Sequence, residues 1–384
     1  MSTRLSLVVD TSHYFTTGDA IKGKVLLELT KSTDVTKLEV AICGVSTTNL
    51  TETVEQGQRI TNEEHESYDV LNDVEILFPS SDMAAHGFTM GVGRHEFDFE
   101  FVIPTYAVPQ GDIGTRTRKA VVLPPSMSDL HGNTMVQYFV QASLHKPSRF
   151  SYPTSTKQFF VFLPADPDEA ENTPDHAVVR TNGSVVLPGM SATGLWRRLN
   201  QWGRGRHKTC TDAFFELGSS TAIIPGVKFV PSITIVFANI ETTIVIESVI
   251  VDVVAITDAK ALHIHREFER RIPLIKEKKL KLRYSSANGR HQSLELPAGT
   301  TSIVPDEVGP SFETPNILRR YELVAKIKYS HIPGSLAVHR AVMKLPIVVK
   351  SGISLPDYET GEVRMCKRVF EQDPLYYTLN RSEL

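Results

Sequence analysis

Apolar and polar residues alternate along most of the chain. The stretch "KVLLEL" puts Val25, Leu27 and Leu29 on one face of an extended segment, and "KLEVAIC" does the same with Leu38, Val40 and Ile42. In "HEFDFEFVIP", Phe97, Phe99 and Phe101 alternate with Glu96, Asp98 and Glu100, the pattern of a strand with one buried face and one wet face. The second half continues in "SITIVFAN", "TTIVIESVIVDVVAI", "YELVAKIKY" and "KLPIVVK". Pro, Gly, Ser, Asn and Asp clusters separate these runs at strand-and-turn spacing, and sustained helical periodicity is nearly absent. Many short strands with turn signals predict an all-β chain of antiparallel sheets packed as sandwiches.

The alternation also repeats at long range. "YFVQASL" from Tyr138 and "YELVAKI" from Tyr321 both read Tyr-x-apolar-x-Ala-x-apolar, and each follows a Pro-Ser pair, Pro125-Ser126 and Pro310-Ser311. In each half an early strand pair precedes "RHEFDFEFVIP" or "RHQSLELP", then the Pro-Ser loop, then the Tyr phrase. A recurrence in fixed order predicts two similar β-sandwiches in tandem. The acidic, Pro-bearing "PADPDEAENTPDH" marks a break between them. The expected organisation is an N-terminal sandwich over 1–165, a linker over 166–210, a second sandwich over 211–350 and a tail over 351–384.

Composition agrees with this picture and narrows it. A chain of 384 residues exceeds one ordinary core. With 41% hydrophobic residues, 22% charged residues and a net charge of −3, it lacks the basic excess of a general nucleic-acid binder, so no nucleic acid is expected. The opening "MSTRLSLVVDTSHYF" has no apolar core before a small-residue cleavage site, and "IVIESVIVDVVAI" is broken by Glu247 and Asp252 and too short for a span. Cys43, Cys210 and Cys366 are scattered, without metal spacing, and suit reduced thiols. A cytoplasmic location follows as the expectation.

Signatures of catalysis are weak. Ser191 in "PGMSATG" misses the nucleophile elbow because the second glycine falls one residue late. Gly91 to Gly93 lack the third glycine and the following helix of a dinucleotide fingerprint. His263 and His265 would share one strand face, but no third and fourth ligand stands nearby. No enzyme activity, cofactor or metal is expected.

Two basic segments carry contact chemistry instead. In "LWRRLNQWGRGRHK", Leu195, Leu199 and Trp202 would line one face of a short helix. Trp196 and Trp202 with Arg197, Arg198, Arg204 and Arg206 suit a peripheral membrane or anionic-partner contact. The bland alternative docks the tryptophans on a domain and leaves the arginines solvated. In "RRIPLIKEKKLKLRY", Lys279, Lys281 and Arg283 alternate with Leu280 and Leu282, so a strand would present a row of cations. Such a row suits acidic or phosphorylated segments or anionic lipid headgroups, or an edge strand guarded by lysine against sheet pairing.

The order and spacing of "YFTTGDAIKGKVLLEL", "GRHEFDFEFVIP", "LPPSMSD", "MVQYFVQASL" and "PSFETPNILRRYELVAKI" resemble the arrestin family, in the style of fungal α-arrestins (arrestin-related trafficking adaptors). The resemblance covers most of 5–350 and is weakest over 165–220. It implies a non-enzymatic adaptor at the plasma membrane or endosomes. Such an adaptor binds cytoplasmic parts of membrane transporters or receptors and recruits a HECT-type ubiquitin ligase through Pro-Pro-x-Tyr motifs read by WW domains. This chain departs from that pattern, because its Pro124-Pro125 pair is followed by Ser-Met. The nearest match is Leu355, Pro356 and Tyr358 in "LPDY", where Pro356 and Tyr358 supply two anchors and Leu355 replaces the first proline. The alternative is an arrestin-fold scaffold of endosomal sorting or signalling without ligase recruitment.

Overall fold

The structure, a computed structural model, describes residues 3–56, 58–79, 88–111, 120–129, 132–147, 152–166, 176–180, 213–237, 243–297, 302–330 and 338–353. The first sandwich contains strands β1 (Thr3–Val9), β2 (Ala20–Leu29), β3 (Lys37–Gln56), β4 (Gln58–Phe78), β5 (Gly93–Val102), β6 (Thr134–His145) and β7 (Thr154–Phe160). One sheet has the order β1-β2-β5 and the other the order β7-β6-β3-β4, all antiparallel. The alternation in the sequence sets the facing. Ile21, Val25, Leu27 and Leu29 of β2 turn inward with Phe99 and Phe101 of β5, against Leu38, Val40 and Ile42 of β3. Outward residues form a polar lattice in which Lys22 meets Glu100 at 3.0 Å and Lys24 meets Asp98 at 3.5 Å. Those pairs are exposed and add little stability compared with the buried face.

The second sandwich follows the same plan. It contains β8 (His176–Arg180), β9 (Ala213–Ser220), β10 (Ser232–Phe237), β11 (Thr243–Ala261), β12 (Ile264–Ser285), β13 (His291–Ser293), β14 (Ile317–Ser330) and β15 (His339–Val349). The sheet β15-β14-β11-β12 matches β7-β6-β3-β4, and β9-β10-β13 matches β1-β2-β5. The one labelled addition is β8, which pairs with β9 at the sheet edge. Residues 176–180, inside the stretch expected as linker, pair with β9, and Ala177 and Val179 pack on the core of the second sandwich. Ile353, within the stretch expected as tail, is buried against Leu163 and Ala165 of the first sandwich.

The repeated Tyr phrase occupies equivalent places. Tyr138 and Tyr321 are 1% and 2% exposed, and their hydroxyls donate to Pro124 O at 2.7 Å and Gly309 O at 2.6 Å. The serines of the Pro-Ser pairs make the same reciprocal clip. Ser126 N donates to Phe162 O at 2.9 Å and Phe162 N to Ser126 Oγ at 2.9 Å; Ser311 N donates to Val349 O at 2.9 Å and Val349 N to Ser311 Oγ at 3.0 Å. Each clipped residue also bridges, in parallel, an earlier segment: Phe162 to Phe15, and Val349 to Ile223. A buried phenol needs an acceptor, and a loop that turns away from a sheet leaves one, so the Pro-Ser loop and the Tyr serve each other.

Candidate functional site

The two sandwiches meet through hydrogen bonds between buried neutral groups. Ser46 Oγ donates to Asn316 Oδ1 at 2.7 Å, Asn316 Nδ2 donates to Ser46 O at 3.2 Å, and Thr314 Oγ1 lies 3.1 Å from Ser46 Oγ. Thr48 Oγ1 donates to Lys260 O at 2.6 Å, and Ser46, Thr48, Thr314 and Asn316 are all under 7% exposed. Beside this cluster, Glu64 and Glu66 of β4 hold the β11–β12 turn. Glu66 Oε2 accepts Leu262 N at 3.0 Å, and Glu64 Oε2 accepts His263 N at 2.8 Å and Ile264 N at 3.1 Å. The turn brings Leu262 to a φ of 49°, and the carboxylates satisfy the N–H groups it leaves unpaired. His263 sits in that turn, so it does not share a strand face with His265 as the alternation suggests. Among the described residues no group of three or more His, Cys, Asp or Glu is placed to hold a metal ion.

A third tie closes the far side of the junction. Asp166 accepts Ser351 N at 2.7 Å and Gly352 N at 2.8 Å through its two oxygens, while its own N–H donates to Ile353 O at 2.7 Å. Burial pushes its carboxyl above the ordinary value, and the backbone N–H groups of Ser351 and Gly352, with Lys350 nearby, offset part of that rise. Neutral hydrogen bonds, two capping carboxylates and this clasp tie the junction, beside apolar contacts such as Leu50 with Ala259, Ala261 and Ile264. Such a junction depends on geometry, because each buried group is costly if its partner moves.

A cationic groove lies on the second sandwich. It encloses about 830 Å³ and is bordered by Lys278, Lys279, Lys281 and Arg283 of β12 and by Lys328 of β14, against one carboxylate, Glu247. None of these five cations forms an ion pair with a described carboxylate. The expected row of cations is present, but β12 is not a straight strand here. Between Ile246 and Ser248 the register breaks, so residues 279–281 stand opposite Glu247 alone, and Lys279 and Lys281 take φ values of 59° and 65°. A left-handed conformation is costly for lysine, and it marks a bulge that re-aims side chains. Leu280 and Leu282 keep their contact with the core while the lysines turn outward. The floor adds Ser330, fully buried, whose Oγ has no hydrogen-bond partner among the described residues. An orphan hydroxyl under five uncompensated cations suits an anion's oxygen atoms. β12 is the edge of its sheet, so the guarded-edge reading describes its place as well.

The other expected contacts, Trp196, Arg197, Arg198, Trp202, Arg204 and Arg206, and the motif Leu355, Pro356 and Tyr358, lie outside the described residues. Cys43 is the thiol that can be placed. Burial, with Asp69 adding to it, pushes it up to about 11, so it stays protonated and is a poor nucleophile at neutral pH. No described helix is long and apolar enough to cross a membrane. The alternation pointed to Lys279, Lys281 and Arg283 but missed Lys328 and Ser330, which arrive from a strand far along the chain. It missed Asn316 and Ser46 for the same reason, although the polar "TPN" between Phe312 and Ile317 interrupts an apolar run. Residues 5–167 match the family model described as Arrestin (or S-antigen), N-terminal domain, ending beside the Asp166 clasp, and this match supports the arrestin family for the chain.

Proposed function

We propose that this chain is a non-enzymatic arrestin-like adaptor that binds cytoplasmic parts of membrane transporters or receptors, and that an acidic or phosphorylated segment of the cargo enters the groove at Lys279 and Lys281. The observation that carries this reading is the set of five unpaired cations around the buried hydroxyl of Ser330. Lysine side chains at a bulge can converge on one phosphate, whereas a straight strand would hold them apart. The second half of the proposal is recruitment of a WW-containing HECT-type ubiquitin ligase by Leu355, Pro356 and Tyr358. Pro356 fixes its own φ and biases Leu355 toward extended geometry, which pre-sets part of a polyproline II shape. The basic tryptophan segment, with Trp196, Arg197, Arg198 and Trp202, would hold the adaptor near anionic lipid.

A fluorescent peptide with three phosphoserines, titrated against the full chain, tests the groove. Lys279→Glu with Lys281→Glu should weaken binding by roughly a hundredfold, and added salt should weaken the wild type steeply. Unchanged binding would remove the groove from the reading. Titration of peptide 353–362 against isolated WW domains tests ligase recruitment: Tyr358→Ala should abolish it and Leu355→Pro should strengthen it. If neither change has an effect, the scaffold without ligase recruitment is the better reading. Co-sedimentation with phosphatidylserine vesicles should fall when Arg197 and Arg198 become Glu.

A further inference from the structure

The junction encloses a cleft of about 400 Å³ to which both sandwiches contribute. Its apolar wall comes from Pro125 and Met127 of the first Pro-Ser loop, Pro310 and Phe312 of the second, Phe268 of β12 and Tyr321 of β14. Its charged rim comes from Asp129, Glu267, Glu269, Glu307, Arg270 and Arg319. The two copies of one loop thus face each other across it. The charges in the cleft are not equally satisfied. Glu267 pairs with Arg320 at 2.7 Å, Glu269 with Arg271 at 3.3 Å, and Glu307 with Arg270. Asp129 accepts Asn133 N at 2.8 Å on the first-sandwich side.

Arg319 is the exception. No described carboxylate lies within ion-pair distance of it. Its guanidinium donates to the Thr257 hydroxyl through Nη1 and to Tyr321 Oη through Nε at 3.1 Å, and it lies over the Tyr321 ring at 5.2 Å from the centroid. A guanidinium carries five N–H donors, so two bonds leave the rest of its fork without a described protein partner. The internal repeat shows that this cation is particular to the second copy. In the first sandwich the position two residues before the buried tyrosine is Val136, 1% exposed, with Met127 and Ser46 as strand neighbours. In the second it is Arg319, with Phe312 and Thr257 as neighbours. The same fold fills this position with valine in its first copy, so the buried tyrosine and its loop do not by themselves require an arginine there.

We infer that the cleft binds a small amphipathic anion, with a carboxylate head on the open fork of Arg319 and an apolar body between the two Pro-Ser loops. Size and place fit such a ligand, since small-molecule sites favour domain interfaces and apolar walls with few convergent polar groups. A planar carboxylate suits the fork, and the ring of Tyr321 holds the guanidinium in orientation. An occupant touches both sandwiches at once, so its binding stabilises their present arrangement.

Calorimetric titration of the full-length chain tests this with three probes: octanoate, 1-octanol and acetate. Octanoate should bind saturably, with octanol and acetate roughly tenfold weaker or worse, because each lacks one half of the recognition. Arg319→Gln should lose octanoate binding by a similar factor, and Arg319→Lys should recover part of it by restoring the charge without the fork. Both variants should melt as the wild type does, which separates lost recognition from lost fold. The groove variant Lys279→Glu with Lys281→Glu should bind octanoate normally, so this test stands apart from that of the cargo groove. The inference is overturned if the wild type shows no saturable octanoate binding, if Arg319→Gln binds it equally well, or if the groove variant alone abolishes it.

Discussion

Set side by side, the two sandwiches solve one packing problem with different residues. Both bury a tyrosine against a Pro-Ser loop, yet Tyr138 lies opposite Gly44 whereas Tyr321 lies opposite Ala255. A Cβ on Gly44 would come within 2.5 Å of Tyr138 Cε1, so the first copy leaves no room for even a methyl group. There the ring is wedged among Phe160 and Phe162, with centroids 5.9 and 4.9 Å away. In the second copy Arg319 covers the ring, and the strand partner is larger. The first copy is closed apolar packing; the second gives up part of that packing for a cation at the junction. Duplication keeps what the fold needs, and the differences mark where the copies carry separate duties.

The largest expected effect breaks this comparison at its tightest point. Gly44→Ala should destabilise the first sandwich by about 3 kcal/mol through overpacking, while Ala255→Gly should cost the second only about 1 kcal/mol. Thermal and denaturant unfolding of both variants would check the asymmetry. Equal losses would mean that the two tyrosine sites pack alike. Next in size is the Asp166 clasp. Asp166→Ala strands two backbone N–H groups at the junction and should cost about 2 kcal/mol. Its pH dependence has a defined sign. Burial holds the folded pKa above the unfolded one, so this group's contribution is fully present below the unfolded value and is lost as pH rises through the folded value. The stability advantage of wild type over Asp166→Asn should therefore shrink as pH rises above the ordinary carboxylate range and level off once the folded carboxyl is ionised.

Much of the fold was legible in the pattern of residues, because half-buried strands require alternation and a repeated Tyr phrase after a repeated Pro-Ser pair requires a repeated setting. Facing along β2, β3 and β5 followed directly from Val25, Val40 and Phe99. Edges and ends were less legible. β8 is short and lies in acidic surroundings, so its pairing with β9 leaves only a weak local signal. The bulge at Lys279 was hidden because alternation of lysine and leucine looks the same whether a strand is straight or bulged, until the partner's register is known. Ser46 and Asn316 are ordinary polar residues locally, and only tertiary structure makes them the centre of a junction.

Two smaller tests sharpen the equivalence. Tyr138→Phe removes one buried phenol-to-carbonyl hydrogen bond and should cost about 1 kcal/mol, while Tyr321→Phe also removes the acceptor of Arg319 Nε and should cost somewhat more, both measured as shifts in denaturant midpoint. A much larger loss at either site would mean that its hydroxyl supports more than its own loop. Smallest is Lys279→Gly. Relief of the left-handed strain offsets the added chain entropy, so stability should change by less than about 1 kcal/mol while binding of the phosphorylated peptide falls.

The claim beneath these comparisons is that two copies are joined by specific buried hydrogen bonds rather than by loose contact. A double-mutant cycle on Ser46→Ala and Asn316→Ala, read by chemical denaturation of the full chain, tests it most directly. Groups in one hydrogen-bonded network should couple by about 1 kcal/mol or more, so the double variant should lose less than the two single losses together. Additive losses, with coupling below about 0.3 kcal/mol, would contradict a fixed junction and leave the sandwiches as independent neighbours.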